Sequence, residues 1–448
     1  MTLTDFSRQD ILDISRETTL YEWTAQTAMK PMVIDRAEGI YFWDVNGKRY
    51  MDFNSQLMCV NIGHGDRRVI DAVTAQMQQV CYVAPTAATT AIRAELGRLL
   101  QEVTPGNLSK AFFTNGGAEA NENAVKIARM FTGRHKIMAR YRAYHGATAG
   151  AVTLTGDPRR WAAEPGIPGV VRFPDFYPYR AGKALDDAEY TAQILNATED
   201  IIQFEGPHTI AAMIIETVVG TNGILIPSAA YIRGLRELCT KYGILLIADE
   251  VMSGFGRTGE WFAVDHWGVV PDILTMAKGL TSAYVPLGAA MVTDTIAEYF
   301  ENNTLYAGLT YNAHSVGCAA AVACINVYKE DHLIENARAM GEILKVELNK
   351  LKDKHPSVGA ARAIGLFSLV ELVKDRTTRE PLVPYNPKPS EMGPIPAFNA
   401  FLRENGLFTF VRWNTCFVNP PLTITEQQLR EGLAIIDRGL DIVDQAVA

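Results

Sequence analysis

Short runs of apolar residues alternate with longer stretches of helical periodicity between about residues 110 and 320. Almost every position within these runs is apolar, which is typical of parallel strands that are covered on both faces. The stretches between the runs are long enough for crossover helices. The pattern therefore predicts an α/β domain with a mostly parallel, seven-stranded sheet and a binding site beyond the carboxyl ends of its strands. The seven runs are 110–114, 136–139, 151–154, 210–215, 243–248, 273–276 and 288–292.

An aromatic hairpin is predicted before this region, over residues 40–53. It is centred on Asn46-Gly47, a pair typical of the type I′ turn, because that turn needs a positive φ at both central positions. Two helices are expected after the hairpin, over about 67–80 and 88–102.

A second, smaller α+β domain is predicted after the sheet region, with a helix at about 334–354 and an apolar run at 363–372. The last helix has a capping-box pair and an apolar stripe at helical spacing. The pair is Thr425 and Gln428, and the stripe is Leu429, Leu433, Ile436, Leu440 and Val443. We expect three parts: an N-terminal segment (1–65) that joins the small domain and lines the functional site, a large domain (66–325) and a C-terminal small domain (326–448).

Composition narrows the class of protein. The 448 residues are 48% hydrophobic and 21% charged, as is usual for globular proteins, and the net charge of −8 favours neither nucleic acid nor an anionic membrane as partner. The sequence has no apolar stretch of transmembrane length, and its N-terminus lacks the pattern of a secretory signal. Six scattered cysteines indicate reduced thiols. We therefore expect a cytoplasmic protein, and no residues are assigned to a metal.

Lys278 is the first candidate for chemistry, because it directly follows a predicted buried strand. Desolvation there disfavours the charged ammonium group. A neutral amine is the nucleophile that forms a Schiff base with a carbonyl cofactor. The alternative is a lysine whose stem is buried and whose amine reaches water.

Two further loops are expected at the same edge of the sheet. The turn Gly116-Gly117-Ala118 lies between a strand and a helix, where free backbone amides suit a phosphate group. Tyr144 follows the next apolar run, and its ring could stack on a planar cofactor. The alternatives are a βα turn without a ligand and a packed tyrosine.

Two acidic residues, Asp249 and Glu250, directly follow another buried strand, where carboxylates need partners. One interpretation is an ATPase in which the aspartate holds magnesium, but the phosphate loop that this requires is missing from the sequence. The other is an acid that keeps a pyridine nitrogen protonated, as in pyridoxal phosphate (PLP) enzymes. Such a hydrogen bond contributes about 1.5–3 kcal/mol and preserves the ring as an electron sink.

Together these motifs resemble the class III aminotransferases, PLP enzymes of fold type I that include the ω-amino acid and amine transaminases. The most specific stretch is Asp-Glu-Val-Met-Ser-Gly-Phe-Gly-Arg-Thr-Gly at 249–259, which is followed by Lys278-Gly-Leu. Tyr144-His-Gly and Thr310 stand at matching positions. The resemblance extends from the hairpin at residue 40 to the final helix.

The resemblance implies a role for each motif. Lys278 is expected to bind PLP as a Schiff base, and Asp249 to pair with the pyridinium nitrogen. Tyr144 would stack on one face of the ring and Val251 would pack on the other. Glu216 would orient the groups around Asp249 and the cofactor.

The resemblance also implies how the phosphate is held. Gly117 and Ala118 would supply backbone amides, and Thr310 would reach the phosphate of a neighbouring subunit, so the active unit is expected to be a homodimer. Many relatives have Ser-Gly-Ser where this chain has Gly116-Gly117-Ala118. We therefore expect the backbone amides, and not side chains, to bind the phosphate here.

The resemblance also implies which residues contact the substrate. By it, Trp23 and Met58 are expected to line the substrate pocket. Arg412 is the candidate for bidentate capture of a carboxylate, and the alternative is a salt-bridged or solvated arginine.

The reaction expected from the resemblance is a ping-pong transamination in which Lys278 serves as base and then as acid. The stretch from Arg412 to 421 is most similar to the β-alanine, taurine and amine:pyruvate group, which indicates an ω-amino acid or primary amine as donor and pyruvate as acceptor. A 2-oxoglutarate-dependent enzyme, an aminomutase and a decarboxylase remain open. A non-catalytic binding protein is disfavoured because Lys278 and Asp249 are both present.

Overall fold

The computed structural model describes residues 6–447. Residues 1–5, part of the predicted N-terminal segment and of the stretch searched for a secretory signal, lie outside the described residues, as does Ala448. The helices are α1 (Arg8–Thr18), α2 (Ser55–Met58), α3 (Arg67–Gln79), α4 (Ala91–Val103), α5 (Gly117–Thr132), α6 (Ala149–Leu154), α7 (Pro178–Ala181), α8 (Ala188–Glu205), α9 (Ala229–Tyr242), α10 (Asp294–Asn302), α11 (Ser315–Glu330), α12 (Leu333–Lys354), α13 (Ile395–Glu404) and α14 (Glu426–Asp444). The strands are β1 (Ile34–Glu38), β2 (Tyr41–Asp44), β3 (Arg49–Asp52), β4 (Leu108–Thr114), β5 (Lys136–Arg140), β6 (Val170–Phe173), β7 (Ile210–Glu216), β8 (Leu245–Asp249), β9 (Ile273–Met276), β10 (Gly288–Thr293), β11 (Val358–Ile364), β12 (Phe367–Asp375), β13 (Glu380–Pro381), β14 (Leu407–Phe408), β15 (Val411–Arg412) and β16 (Thr415–Phe417).

A seven-stranded sheet in the order β4-β10-β9-β8-β7-β5-β6 forms the centre of the large region. Only β10 runs antiparallel to its neighbours. Every residue of β7, β8, β9 and β10 is buried, because helices cover both faces of the sheet. The predicted α/β class with a mostly parallel, seven-stranded sheet is confirmed.

Six of the seven predicted runs are strands of this sheet, and one prediction is wrong. Residues 151–154 lie in α6, and the seventh strand is β6, which was not predicted. A short apolar run fits a buried helix as well as a buried strand. Here the Glu122 carboxylate accepts hydrogen bonds from the first amides of α6, at Gly150 (2.7 Å) and Ala151 (3.1 Å), and this long-range cap favours the helix.

The predicted aromatic hairpin is confirmed as β2 and β3, but its turn differs from the expected type. Of the central pair, only Gly47 has a positive φ, at +80°. The Gly47 amide donates to the Asp44 carbonyl (2.8 Å), and the Asp44 amide donates to the Lys48 carbonyl (3.0 Å). This is a longer turn with glycine in the left-handed position, in which asparagine need not adopt positive φ.

Two smaller sheets connect the ends of the chain. Strand β14 pairs in parallel with β3, so the N-terminal strands and the C-terminal region share one sheet in the order β1-β2-β3-β14. Strands β11, β12, β16 and β15 form an antiparallel sheet, with β13 paired to β12. In α14 the predicted capping box is present and the apolar stripe is buried. The domain boundaries stay a prediction.

Across residues 6–447, no helix combines the length and the apolar character needed to span a membrane.

Candidate active site

A cavity of about 420 Å³ opens at the carboxyl edge of the central sheet. The loops that follow β4, β5, β8 and β9 contribute to it, together with the end of β7. This is the edge at which open α/β sheets bind ligands. The predicted site residues that line it are Gly117, Ala118, Tyr144, Glu216, Asp249, Val251 and Lys278.

The glycine turn at one end of the cavity leads directly into α5, which begins at Gly117. Within the described chain, no side chain caps this helix. The amides of its first turn are therefore available for an anion, and the helix dipole favours negative charge there. A Cβ on Gly117 would lie 2.8 Å from a methyl group of Val251, so a larger residue at position 117 would displace the Val251 side chain on the opposite side of the cavity.

Asp249, at the end of β8, is 4% exposed and is held by three donors. Its Oδ2 atom accepts from Asn121 Nδ2 (2.8 Å) and lies 2.7 Å from His145 Nδ1, and its Oδ1 atom accepts from the Val251 amide (3.0 Å). Because an ionised carboxylate only accepts hydrogen bonds, we assign the proton to His145 Nδ1. These three contacts fix the direction in which the carboxylate points.

Asn121 is a site residue that the sequence analysis missed. Its amide also donates to the His145 carbonyl (2.8 Å), and its Oδ1 atom accepts from the Thr275 hydroxyl (2.7 Å). It is buried on α5, on the face that packs against the sheet. Asn121 is a polar residue at helical spacing from the apolar residues Ala124 and Ala128, and this is the sequence signal that could have identified it.

Lys278 follows β9 and lines the cavity. Its φ of +42° is unusual for a residue with a side chain, and such conformations persist only where the surroundings enforce them. Burial lowers the pKa of its amine, against the opposing effect of nearby acidic groups that include Asp249 and Glu216. Gly279 is required next to it, because a Cβ there would lie 2.6 Å from Asn61 Nδ2 and 2.8 Å from Phe255 Cβ.

Glu216, at the end of β7, lies beside Asp249 in the parallel register of the sheet. Its carboxylate accepts from the amides of Tyr144 (2.9 Å) and Gly220 (2.8 Å), so it fixes the loop that carries the Tyr144 ring. Burial raises the pKa of Glu216 and also that of the Tyr144 phenol.

The substrate residues predicted from the sequence do not line this cavity. Met58 is 2% exposed and packs in the core, and the adjacent Cys59 lines the cavity. The role of Met58 in the substrate pocket stays a prediction. The backbone of Met58 has a positive φ (+57°), which sends successive side chains in different directions from those of an ordinary helix or strand. Trp23 is 56% exposed and packs in a T-shaped arrangement with the Tyr144 ring, with 6.3 Å between ring centres.

Arg412 lines a separate cavity of about 220 Å³. It donates to Asp157 (3.2 Å) and to the Thr221 carbonyl (3.2 Å), which is the salt-bridged alternative from the sequence analysis. A second arginine that the sequence analysis missed, Arg159, also binds Asp157 and lies on the Tyr144 ring. No local sequence signal marks Arg159, since the contact depends on how α6 and the following turn pack.

Thr310 lies away from the 420 Å³ cavity. It lines another cavity, of about 770 Å³, and its carbonyl accepts a hydrogen bond from the Tyr82 hydroxyl (2.8 Å).

The residues of the first cavity fit PLP. A buried amine, a buried carboxyl group, a helix N-terminus with a glycine turn and an aromatic ring are brought together around a space of the size that suits a small cofactor. The acid and the amine come from adjacent strands, β8 and β9, so the sheet sets their separation.

Comparison with known proteins gives a consistent result along the whole chain. The family model described as aminotransferase class-III matches residues 23–440. Putrescine–pyruvate aminotransferase of Pseudomonas aeruginosa is 34% identical over 429 residues, which cover 93% of this chain and 91% of that protein. Taurine–pyruvate aminotransferase of Bilophila wadsworthia is 33% identical in a comparison that covers 98% of this chain and 99% of that protein.

Solved structures show the same relationship. The taurine:2-oxoglutarate aminotransferase from Bifidobacterium kashiwanohense, determined in complex with PLP and glutamate, is 42% identical with a TM-score of 0.95, over 99% of this chain and 100% of that chain. An (S)-enantioselective ω-transaminase from Thermomicrobium roseum is 37% identical with a TM-score of 0.93, over 98% of this chain and 99% of that chain.

Proposed function

The chain belongs to the class III aminotransferases and is a PLP-dependent transaminase, and from this premise we propose that it moves an amino group from an ω-amino acid or primary amine to pyruvate. Taurine and β-alanine are the donors we expect. The observation that carries the proposal is that Asp249, at the end of β8, and Lys278, just after the adjacent strand β9, line the same cavity. The names of the relatives support the donor and acceptor classes.

We propose that Lys278 binds PLP covalently and that Asp249 pairs with the pyridine nitrogen. The contacts of Asp249 with Asn121 and His145 support this role, because two further side chains fix the direction of its carboxylate. When bound, PLP supplies a carbonyl that combines with amines and a protonated ring that accepts an electron pair.

Lys278 is also proposed to move the proton during the reaction. Once released from the cofactor, its amine would take the proton from the amine-bearing carbon of the donor and deliver it as an acid. The lowered pKa supports this role, since a base must be unprotonated before it acts. Tyr144 and Val251 are proposed to hold the two faces of the ring, and Glu216 to position Tyr144 through its amide.

The phosphate is proposed to bind the amides of Gly117 and Ala118 at the start of α5. We further propose a homodimer in which Thr310 contacts the phosphate bound by a second copy of the chain. Its distance from the cavity of its own chain supports this, as does the exposure of Tyr306 and Tyr311 on the same loop. Light scattering in solution tests the dimer.

We also propose that residues 66–325 form the large PLP-binding domain and residues 326–448 the small domain, joined by the N-terminal segment. The pairing of β3 with β14 supports this arrangement.

A half-reaction screen tests the donor and the acceptor. Loss of the absorbance of the lysine-bound cofactor is followed with taurine, β-alanine, aliphatic amines and aryl amines, and its recovery with pyruvate or 2-oxoglutarate. We expect taurine and β-alanine to react and pyruvate to restore the absorbance. The proposal would be contradicted if no amine caused loss of the absorbance, or if neither oxo acid restored it. Lys278→Ala is the control, and it should remove both the absorbance and turnover.

The second candidate acceptor is 2-oxoglutarate. It is favoured by the 42% identity to a taurine:2-oxoglutarate aminotransferase over nearly the whole chain. Recovery with 2-oxoglutarate and not with pyruvate would select it.

A further inference from the structure

Arg159 packs on the ring of Tyr144, a residue that lines the proposed cofactor cavity. Its guanidinium carbon is 3.7 Å from the centre of the Tyr144 ring, and Tyr144 lines that cavity. Arg412, the arginine predicted to bind substrate, lies instead over Trp413 (4.3 Å) and lines the separate cavity of about 220 Å³. The two arginines therefore occupy different positions relative to the site of reaction.

The two arginines share one acid. Asp157 is completely buried, and its carboxylate accepts from Arg159 Nε (3.0 Å) and Nη2 (2.5 Å) and from Arg412 Nη2 (3.2 Å). Among residues 6–447, no other carboxylate hydrogen-bonds to either guanidinium group. The side chains of Arg159 and Arg412 are only 18% and 13% exposed, so water compensates their charge poorly. Because arginine stays charged, the cluster has an excess of one positive charge.

The hydrogen-bonding capacity of Arg159 is not exhausted. Its Nε and Nη2 atoms are used by Asp157, and Nη2 also donates to the Thr221 hydroxyl (2.8 Å). In the described part of the chain, no protein atom accepts a hydrogen bond from Nη1. A guanidinium that is fixed on one edge, stacked on an aromatic ring and free on the other edge is suited to bind an oxyanion.

We propose that Arg159 binds the carboxylate or sulfonate end of the substrates, and that Asp157 positions it. This inference rests on the proposed function and specifies its substrate class. A donor with an anionic end, and the carboxylate of a 2-oxo acid, would supply the negative charge that the cluster lacks. A donor with a neutral end would not, and a donor with a second ammonium group would add to the excess positive charge. Arg412 holds the other side of Asp157 and is a positioning residue in this arrangement.

The test compares Arg159→Gln with Arg412→Gln in the PLP-loaded enzyme. Half-reaction rates are measured against the concentration of taurine, β-alanine and n-propylamine, a donor of similar size without an anionic end. Arg159→Gln should raise the half-saturating concentrations of taurine and β-alanine about 10- to 100-fold, because this is the loss of affinity expected when a charge-assisted hydrogen bond is removed. The half-saturating concentration of n-propylamine should change less than about threefold. Arg412→Gln should raise the half-saturating concentration of taurine less than Arg159→Gln does.

A binding measurement separates this inference from the proposed function. Calorimetry with ethanesulfonate, an unreactive anion, should detect binding to the wild-type holoenzyme and a matching loss in Arg159→Gln. If no amine reacts with the wild type while this loss is observed, the proposed function fails and the anion site stands. If taurine reacts but ethanesulfonate binding is the same in both proteins, the anion site fails alone.

Two further outcomes would overturn the assignment to Arg159. An equal loss for taurine and n-propylamine would show that Arg159 merely supports the Tyr144 ring. If Arg412→Gln lost more of its apparent affinity for taurine than Arg159→Gln did, the anion would be assigned to Arg412. Should Arg159→Gln fail to fold, Arg159→Lys takes its place: it keeps the charge but loses the planar fork, so half-saturation by taurine should weaken while that by n-propylamine does not.

Discussion

Asn121 gives the sharpest test of how the site is built, because it touches the acid and not the cofactor cavity itself. Asn121→Ala removes the amide that donates to Asp249 Oδ2 at 2.8 Å, one of three donors to that carboxylate. A hydrogen bond to a charged group contributes about 1.5–3 kcal/mol. If Asp249 holds the pyridine nitrogen through its negative charge, most of that free energy should be lost from PLP binding. The expected effect is a PLP dissociation constant raised by about 10- to 100-fold.

The measurement is a titration of the apoenzyme with PLP, followed by absorbance. Asn123→Ala is the matched control. Asn123 is also a buried asparagine of α5, and its amide donates to the Glu119 carbonyl (2.8 Å) without touching Asp249. Both variants should lose stability, because each deletes a buried hydrogen bond, but only Asn121→Ala should lose PLP affinity.

Two results would refute this reasoning. PLP affinity of Asn121→Ala within twofold of the wild type would show that His145 and the Val251 amide suffice for Asp249. An equal loss of affinity in both variants would show that the effect comes from a destabilised α5 helix.

Three further predictions concern the walls and the buried charges of the site. In Gly117→Ala the new methyl group would lie 2.8 Å from Val251, so overpacking of about 1–3 kcal/mol should weaken PLP binding, and adding Val251→Ala should restore part of it; gel filtration with absorbance detection measures the retained cofactor, and no rescue would contradict the steric explanation. Burial raises the pKa of Glu250 from 4.5 to about 7, so the folded state keeps this proton to higher pH than the unfolded state does; the stabilising contribution of the protonated Glu250 is complete below pH 4.5 and is lost as the pH rises to about 7. In Glu250→Gln the melting temperature should depend less on pH in that window, and an unchanged slope would disprove the prediction. Burial lowers the pKa of Lys278 below 10.5, so the unfolded apoenzyme binds more protons than the folded one and Lys278 destabilises the folded state at neutral pH. Lys278→Met should therefore raise the melting temperature of the apoenzyme, by an amount that shrinks as the pH approaches 10.5. A difference in melting temperature between variant and wild type that stays constant with pH would indicate packing alone.

The sequence alone determined the sheet and the positions of its chemical groups along the chain. Lys278, Asp249 and the Gly116-Gly117 turn each follow a short apolar run, and each run is a strand of the central sheet. Such signals are local: an apolar run, a glycine at a turn and a charge at a strand end can be recognised within a few residues. Since parallel strands end at a common edge, these local signals also predicted that the three groups would meet.

Only the tertiary structure decided which residues surround those groups. Residues 151–154 are helical because Glu122, far away in sequence, caps α6. Asn121 acts on Asp249 because α5 packs on the sheet, and Arg159 reaches the Tyr144 ring because Asp157 ties it to Arg412 near the other end of the chain. Periodicity within one segment carries no information about such partners, because a buried polar group is stabilised by whichever donor or acceptor the packing brings to it.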